Sequence, residues 1–173
     1  APVVLSSSSA LVAAGDWGGI YLEQNAALTL TYAHLSGTGY GVKSAENVRV
    51  AALKISHSRL ETSGGGVRVP AVIAGVLEIT DSVISTAISG YAIDLSLCCD
   101  KTSPVPNISR NVVTNPSGSG VYVWFASQGL TISSNIINVE KHGVDIRYIG
   151  GAIAVTDNTL ESTSIGSQLW DRG

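Results

Sequence analysis

A chain of 173 residues, 45% hydrophobic and 13% charged, has the length of one domain and enough apolar material for a core, which excludes a disordered chain. A net charge of -3 with no basic cluster excludes a phosphate-rich partner, so no nucleic acid is expected, and no apolar run approaches the roughly 18 residues of a membrane span, so no membrane insertion is expected either. Nineteen Gly beside abundant Ser, Thr, Val and Ile, with one Phe, suit strands and tight turns rather than helices.

In chain order, the first element is the strand-like Pro2-Val3-Val4-Leu5. From there one unit recurs. Gly19, Gly41, Gly66, Gly90, Gly120, Gly143 and Gly166 each precede an alternating run, and glycine permits the turn into such a strand. In Gly120-Val121-Tyr122-Val123-Trp124-Phe125 the alternation puts Val121, Val123 and Phe125 inside and Tyr122 and Trp124 outside. A second strand per unit is marked by apolar pairs such as Leu28 and Leu30, Leu53 and Ile55, Leu77 and Ile79, and Leu130 and Ile132.

Each pair runs into a third segment with one consensus: apolar, hydroxyl, any residue, small or amide, then apolar alternation. Six copies begin at Leu30, Ile55, Ile79, Ile108, Ile132 and Val155, with steps of 25, 24, 29, 24 and 23. A period near 24 with three strands per unit predicts an all-β fold, a right-handed single-stranded parallel β-helix of six to seven coils. A β-sandwich is the rival, but its strands would not share one consensus six times. The turn slot holds Asn111, Asn135 and Asn158 in the last three coils. Asn tolerates a left-handed bend, and these amides are expected to form a ladder. Ala33, Ser58 and Ser82 fill the slot earlier, so the ladder is expected to be incomplete there.

The step of 29 accommodates a loop containing Cys98-Cys99-Asp100-Lys101-Thr102-Ser103-Pro104-Val105-Pro106. Adjacent cysteines forbid ordinary disulfide geometry. They read as two buried thiols, with a strained vicinal disulfide or a bond to another chain as alternatives, and they are too few for zinc. Val83, Val112 and Ile136 are expected outward on adjacent coils as a small apolar stripe, covered by this loop or by a partner.

Outward residues of the glycine-led strands form two columns. Two residues after each glycine stand Tyr21, Lys43, Arg68, Ala92, Tyr122, Asp145 and Gln168. Four after stand Glu23, Ala45, Pro70, Asp94, Trp124, Arg147 and Trp170. Asp94, Tyr122, Trp124, Asp145, Arg147 and Trp170 make a candidate glycan-binding face, because aromatic rings stack on sugars while carboxylates and guanidinium bind their hydroxyls. The competing reading is strand propensity plus a solvated ion pair.

In these columns Asp94 and Asp145 are two coils and two residues apart, roughly 12 Å, with Trp124 near the line between them. That exceeds the about 5 to 9.5 Å of a glycosidase pair. His34, His57 and His142 fall on different coil positions and form no expected cluster, and no Ser has a matching His and acid, so no catalytic residue is assigned. The column Thr29, Lys54, Glu78, Asn107, Thr131 and Ala154 is too charged for an ice-binding face.

Gly15-Asp16-Trp17-Gly18-Gly19-Ile20, with Pro2-Val3-Val4-Leu5 before it and Leu28-Thr29-Leu30 after it, resembles a module of large secreted bacterial right-handed β-helix proteins of the pectate-lyase-like class. The resemblance spans the repeated coils and implies a secreted or cell-surface location. The class holds lyases, hydrolases, esterases and adhesins, so it implies architecture more than activity. Its lyases use a calcium cluster of carboxylates with an arginine base. These columns place no two acids on neighbouring coils, so no metal or cofactor is expected, and Ca²⁺ enters only if the chain is an enzyme.

The chain lacks Met at position 1 and shows neither a basic signal region nor capping helices, so residues 1–173 read as a single domain excised from a longer solenoid. Its open ends are expected to favour end-to-end self-association. The expected function is an extracellular or cell-surface module with a structural, carbohydrate-binding or protein-binding role. The alternative is a polysaccharide lyase or glycoside hydrolase acting on acidic polysaccharide, with its catalytic set incomplete here.

Overall fold

The computed structural model describes residues 3–5, 18–97, 104–164 and 166–170, with side chains at 18–97 and 104–164. Cys98, Cys99, the loop residues 100–103 and Trp17 lie outside the described residues, as does the side chain of Trp170. The expectations for the cysteines and for a loop covering the apolar stripe lie there too.

Among the described residues every strand pairing is parallel, and each strand's neighbours come from the coils before and after, which excludes the sandwich. The first sheet holds the seven glycine-led strands, Ile20–Leu22 through Tyr91–Ser96, Ser119–Trp124 and Val144–Arg147 to Ser167–Trp170. The second sheet has six strands, from Ala27–Thr31 to Ala152–Thr156, and the third seven, from Val3–Leu5 and Ala33–Thr38 to Thr159–Ser162. A two-stranded ribbon pairs Arg49–Val50 with Val72–Ile73. The chain is thus a parallel β-solenoid, and the six strands of the second sheet count six coils.

The core is a stack of register rows. Leu35, Leu60, Ile84, Val113 and Ile137 form one row without exposed surface, each side chain worth roughly 1.5–3 kcal/mol of burial. Outward rows follow the alternation as well: Thr29, Lys54, Glu78, Asn107, Thr131 and Ala154 are in register, and Lys54 pairs with Glu78 at 3.4 Å. Val83, Val112 and Ile136 also share a row, with Val112 37% and Ile136 51% exposed.

The glycine row needs two corrections. Its members lie where coils stack most closely: a Cβ on Gly41, Gly120 or Gly143 would stand 2.3–2.5 Å from the next coil's carbonyl oxygen. Close approach therefore requires glycine there, and among these only Gly19 has a positive φ, at 90°. Gly90 is not in the row. Ile93 pairs with Val67 and Val121, so Ala92 takes the place of glycine, and it is buried, not outward.

The corner between the second and third sheets also differs from expectation. The left-handed residue is the one before the slot: Tyr32, His57, Asp81, Arg110, Ser134 and Asp157 have φ of 50–58°. Six unrelated side chains adopt this costly conformation, so the surroundings impose it. The slot residue that follows it is bonded along the axis. Asn135 Nδ2 donates to Ile108 O at 2.9 Å and to Asn158 Oδ1 at 2.8 Å, while Asn135 Oδ1 accepts from the backbone N–H of Asn111 at 2.9 Å and from Asn111 Nδ2 at 3.0 Å.

The amide ladder is therefore one file. It does not stop at the serines: Ser58 N–H donates to Ser82 Oγ at 3.1 Å, and Ser82 N–H donates to Asn111 Oδ1 at 3.0 Å. Hydroxyls continue the acceptor row and lack only the second donor of an amide. Ala33, whose N–H donates to Ser58 Oγ at 3.1 Å, is the member that supplies no acceptor.

Candidate functional site

The outer face of the first sheet carries the candidate residues, and strand pairing redraws its columns. Asp94 pairs with Arg68 and Tyr122, and Tyr122 pairs with Asp145, so one row reads Arg68, Asp94, Tyr122, Asp145. The second row reads Ser96, Trp124, Arg147, Trp170. Asp94 thus belongs two residues earlier in its strand than the glycine count implies, because Gly90 is out of step. Asp94 and Asp145 lie in register two coils apart, about 9.6 Å along the axis, with Tyr122 and not Trp124 between them.

Asp145 has no exposed surface although it points outward. Arg147 covers it, donating from Nε to Oδ1 at 2.9 Å and from Nη2 to Oδ2 at 2.7 Å, and the Tyr91 hydroxyl donates to Oδ2 at 2.7 Å. The Tyr91 ring stacks on Tyr122, centroids 4.7 Å apart at 20°, and the Arg147 guanidinium lies 5.5 Å from the Tyr122 ring centre. Burial alone would raise the Asp145 carboxyl, but the bonds from Arg147 and Tyr91 outweigh it and hold the group below the ordinary carboxylate range. Burial first, and then the Asp145 charge, push the Tyr91 hydroxyl well up, so it stays a donor at neutral pH.

Both oxygens of Asp145 are therefore committed. A depressed carboxyl is the wrong polarity for a general acid, and the stacked tyrosines occupy the space where a scissile bond would sit between the two carboxylates. Asp94 is half-buried. It accepts from Ser96 Oγ at 2.6 Å and lies 3.6 Å from Arg68 Nε, whose Nη2 is 3.8 Å from Glu46. Among the described residues no three His, Cys, Asp or Glu side chains come together to hold a metal ion.

Beside this network stands an aromatic corner. Phe125 does not continue the alternation inward. With φ of 64° it leaves the strand left-handed and stacks on Tyr148, itself at φ 56°, with centroids 5.5 Å apart at 14°. Trp124, 37% exposed, packs edge to face on both, at 5.3 Å from Phe125 and 6.4 Å from Tyr148. The chain matches no family model, no curated protein and no solved structure. Geometry and chemistry must therefore carry the functional reading.

The structure thus groups Asp94, Tyr122, Trp124, Asp145 and Arg147 on one face and pairs the backbone of Trp170 with Arg147. It adds Tyr91, Ser96, Phe125 and Tyr148, which the column count missed. A signal existed for two of them, since Phe125 and Tyr148 directly follow the outward residues Trp124 and Arg147 on neighbouring coils.

Two hollows lie elsewhere. One, of about 730 Å³, runs along the third sheet past Ser36, Glu61, Ser85, Thr114 and Asn138. The other, of about 760 Å³, lies at the corner between Tyr32, His57 and Asp81 on one side and His34 and Arg59 on the other. Contrary to expectation, His34 and His57 line one surface feature. His34 Nε2 is 2.8 Å from Glu61, which also accepts from Arg59 Nε at 2.8 Å, so these groups are spent on one another.

Proposed function

We propose that the chain is a module of a secreted or cell-surface protein of the pectate-lyase-like β-helix type that binds carbohydrate through the outer face of its first sheet. The aromatic corner is the observation that carries this reading. Backbone strain turns Phe125 outward where alternation would bury it, and residues held in such conformations concentrate at functional sites. Exposed aromatics that offer ring faces next to fixed carboxylate, hydroxyl and guanidinium groups provide what sugar rings need: an apolar surface for C–H faces and oriented partners for hydroxyls.

A binding role fits the committed state of Asp145 better than acid–base chemistry does. The direct test is calorimetric titration of the full chain with a panel of soluble polysaccharides, with and without Ca²⁺, beside the Trp124→Ala variant. Saturable binding that Trp124→Ala weakens about tenfold or more is expected. Absence of binding across the panel, or binding indifferent to Trp124, would overturn the reading.

A further inference from the structure

Resting on that reading, we propose that the ligand is a neutral polysaccharide laid along the solenoid axis, not an acidic one. An acidic glycan needs cations that do not already face carboxylates, and both arginines beside the aromatics stand against them. Arg147 gives Nε and Nη2 to Asp145 and lies beside the Tyr122 ring. Arg68 is shared between Asp94 and Glu46. Lys43, in register with Arg68 and a further coil from the aromatics, sits 5.0 Å from the Tyr40 ring.

Around the aromatics, Arg68 and Arg147 are thus opposed by Glu46, Asp94 and Asp145, and solvent reaches two of these carboxylates, Glu46 with 72% and Asp94 with 21% of the side chain exposed. A uronate carboxyl placed there meets like charge. A neutral sugar meets acceptors for its hydroxyl protons and ring surface for its C–H faces.

The direction follows from register. Each strand offers two outward residues to the face, whereas the rows Asp94–Tyr122–Asp145 and Ser96–Trp124–Arg147 each cross three coils, about 9.6 Å. A chain lying along a strand would touch one coil's pair. One lying along the axis reaches the Asp94–Ser96 pair, both aromatic groups and Arg147 in succession.

The test compares a soluble neutral β-glucan, a neutral xylan and polygalacturonate, titrated into the full chain at low and high salt, for wild type, Trp124→Ala and Asp94→Asn. Binding to a neutral polymer should depend on Trp124 and be indifferent to salt, with polygalacturonate about tenfold weaker or more. Asp94→Asn, which removes one carboxylate and releases Arg68, should raise affinity for polygalacturonate. Trp124-dependent binding that favours polygalacturonate and fades with salt would overturn this inference while leaving carbohydrate binding intact. Failure of every polymer would remove both.

Discussion

Two corners of the solenoid use the same unusual backbone and put it to different ends. Between the second and third sheets a left-handed residue recurs on all six coils, carried by Tyr, His, Asp, Arg, Ser and Asp in turn. After the first sheet it occurs at Asn25, Asn47, Phe125 and Tyr148, and the last two side chains are aromatic and stacked. In the first corner the conformation is general and the side chain irrelevant, since it recurs whether Ala, Ser or Asn follows. In the second it occurs in four coils among the described residues, and at Phe125 and Tyr148 it displays stacked rings where the earlier coils carry Asn. Repetition therefore marks what builds the solenoid, and departure from repetition marks the surface with a use.

The sharpest way to break this comparison is to remove the file. Asn135→Ala would leave the N–H of Asn111 and the carbonyl of Ile108 buried without their partner. About 3 kcal/mol or more of stability should be lost in urea unfolding, from two or more unsatisfied groups at about 1–3 kcal/mol each. Asn135→Ser should recover part of the loss, as the hydroxyls of Ser58 and Ser82 serve the same row. Gly120→Ala, which would set a Cβ 2.4 Å from Gly143 O, should cost about 1–3 kcal/mol by overpacking.

At the other corner the balance reverses. Trp124→Ala should cost less than Asn135→Ala, about 0.5–1.5 kcal/mol for the lost ring contacts, while weakening glycan binding. Acid should act on the ion pairs in a defined direction. Asp145, Glu61 and Asp81 are held below the usual carboxylate range by Arg147 and Tyr91, by Arg59 and His34, and by Arg110 respectively. The folded chain then takes up their protons at lower pH than the unfolded chain does. Their contribution is complete above about pH 5 and is lost as pH falls through the unfolded and then the folded values, so the thermal midpoint should drop there. Asp145→Asn should flatten part of that slope.

The solenoid, its three strands per coil and its Asn file were legible because they rest on inward residues with a fixed period. Three features were not. The left-handed position could not be read from Tyr32, His57 or Arg110, since stacking and not residue identity selects it; Asn25 and Asn47, also left-handed, are residues that suit it. The place of Asp94 was misread because Gly90 looks like a member of the glycine row while the long coil shifts register by two, leaving Ala92 in line. Phe125 was assigned inward by an alternation that ends at Trp124. Asp94, Tyr122, Trp124, Asp145 and Arg147 were found as a group, but Tyr91, which completes the hold on Asp145, lies two coils away and gave no local sign.

The most direct measurement is the affinity of the full chain for a neutral polysaccharide, by calorimetry, in wild type and Phe125→Asn. Asparagine keeps the left-handed backbone at little cost and removes the ring that stacks on Tyr148. The structure predicts about tenfold weaker binding in a protein that still unfolds cooperatively, with its midpoint lowered by only about 2–4 °C. Equal affinity in the two proteins would contradict it.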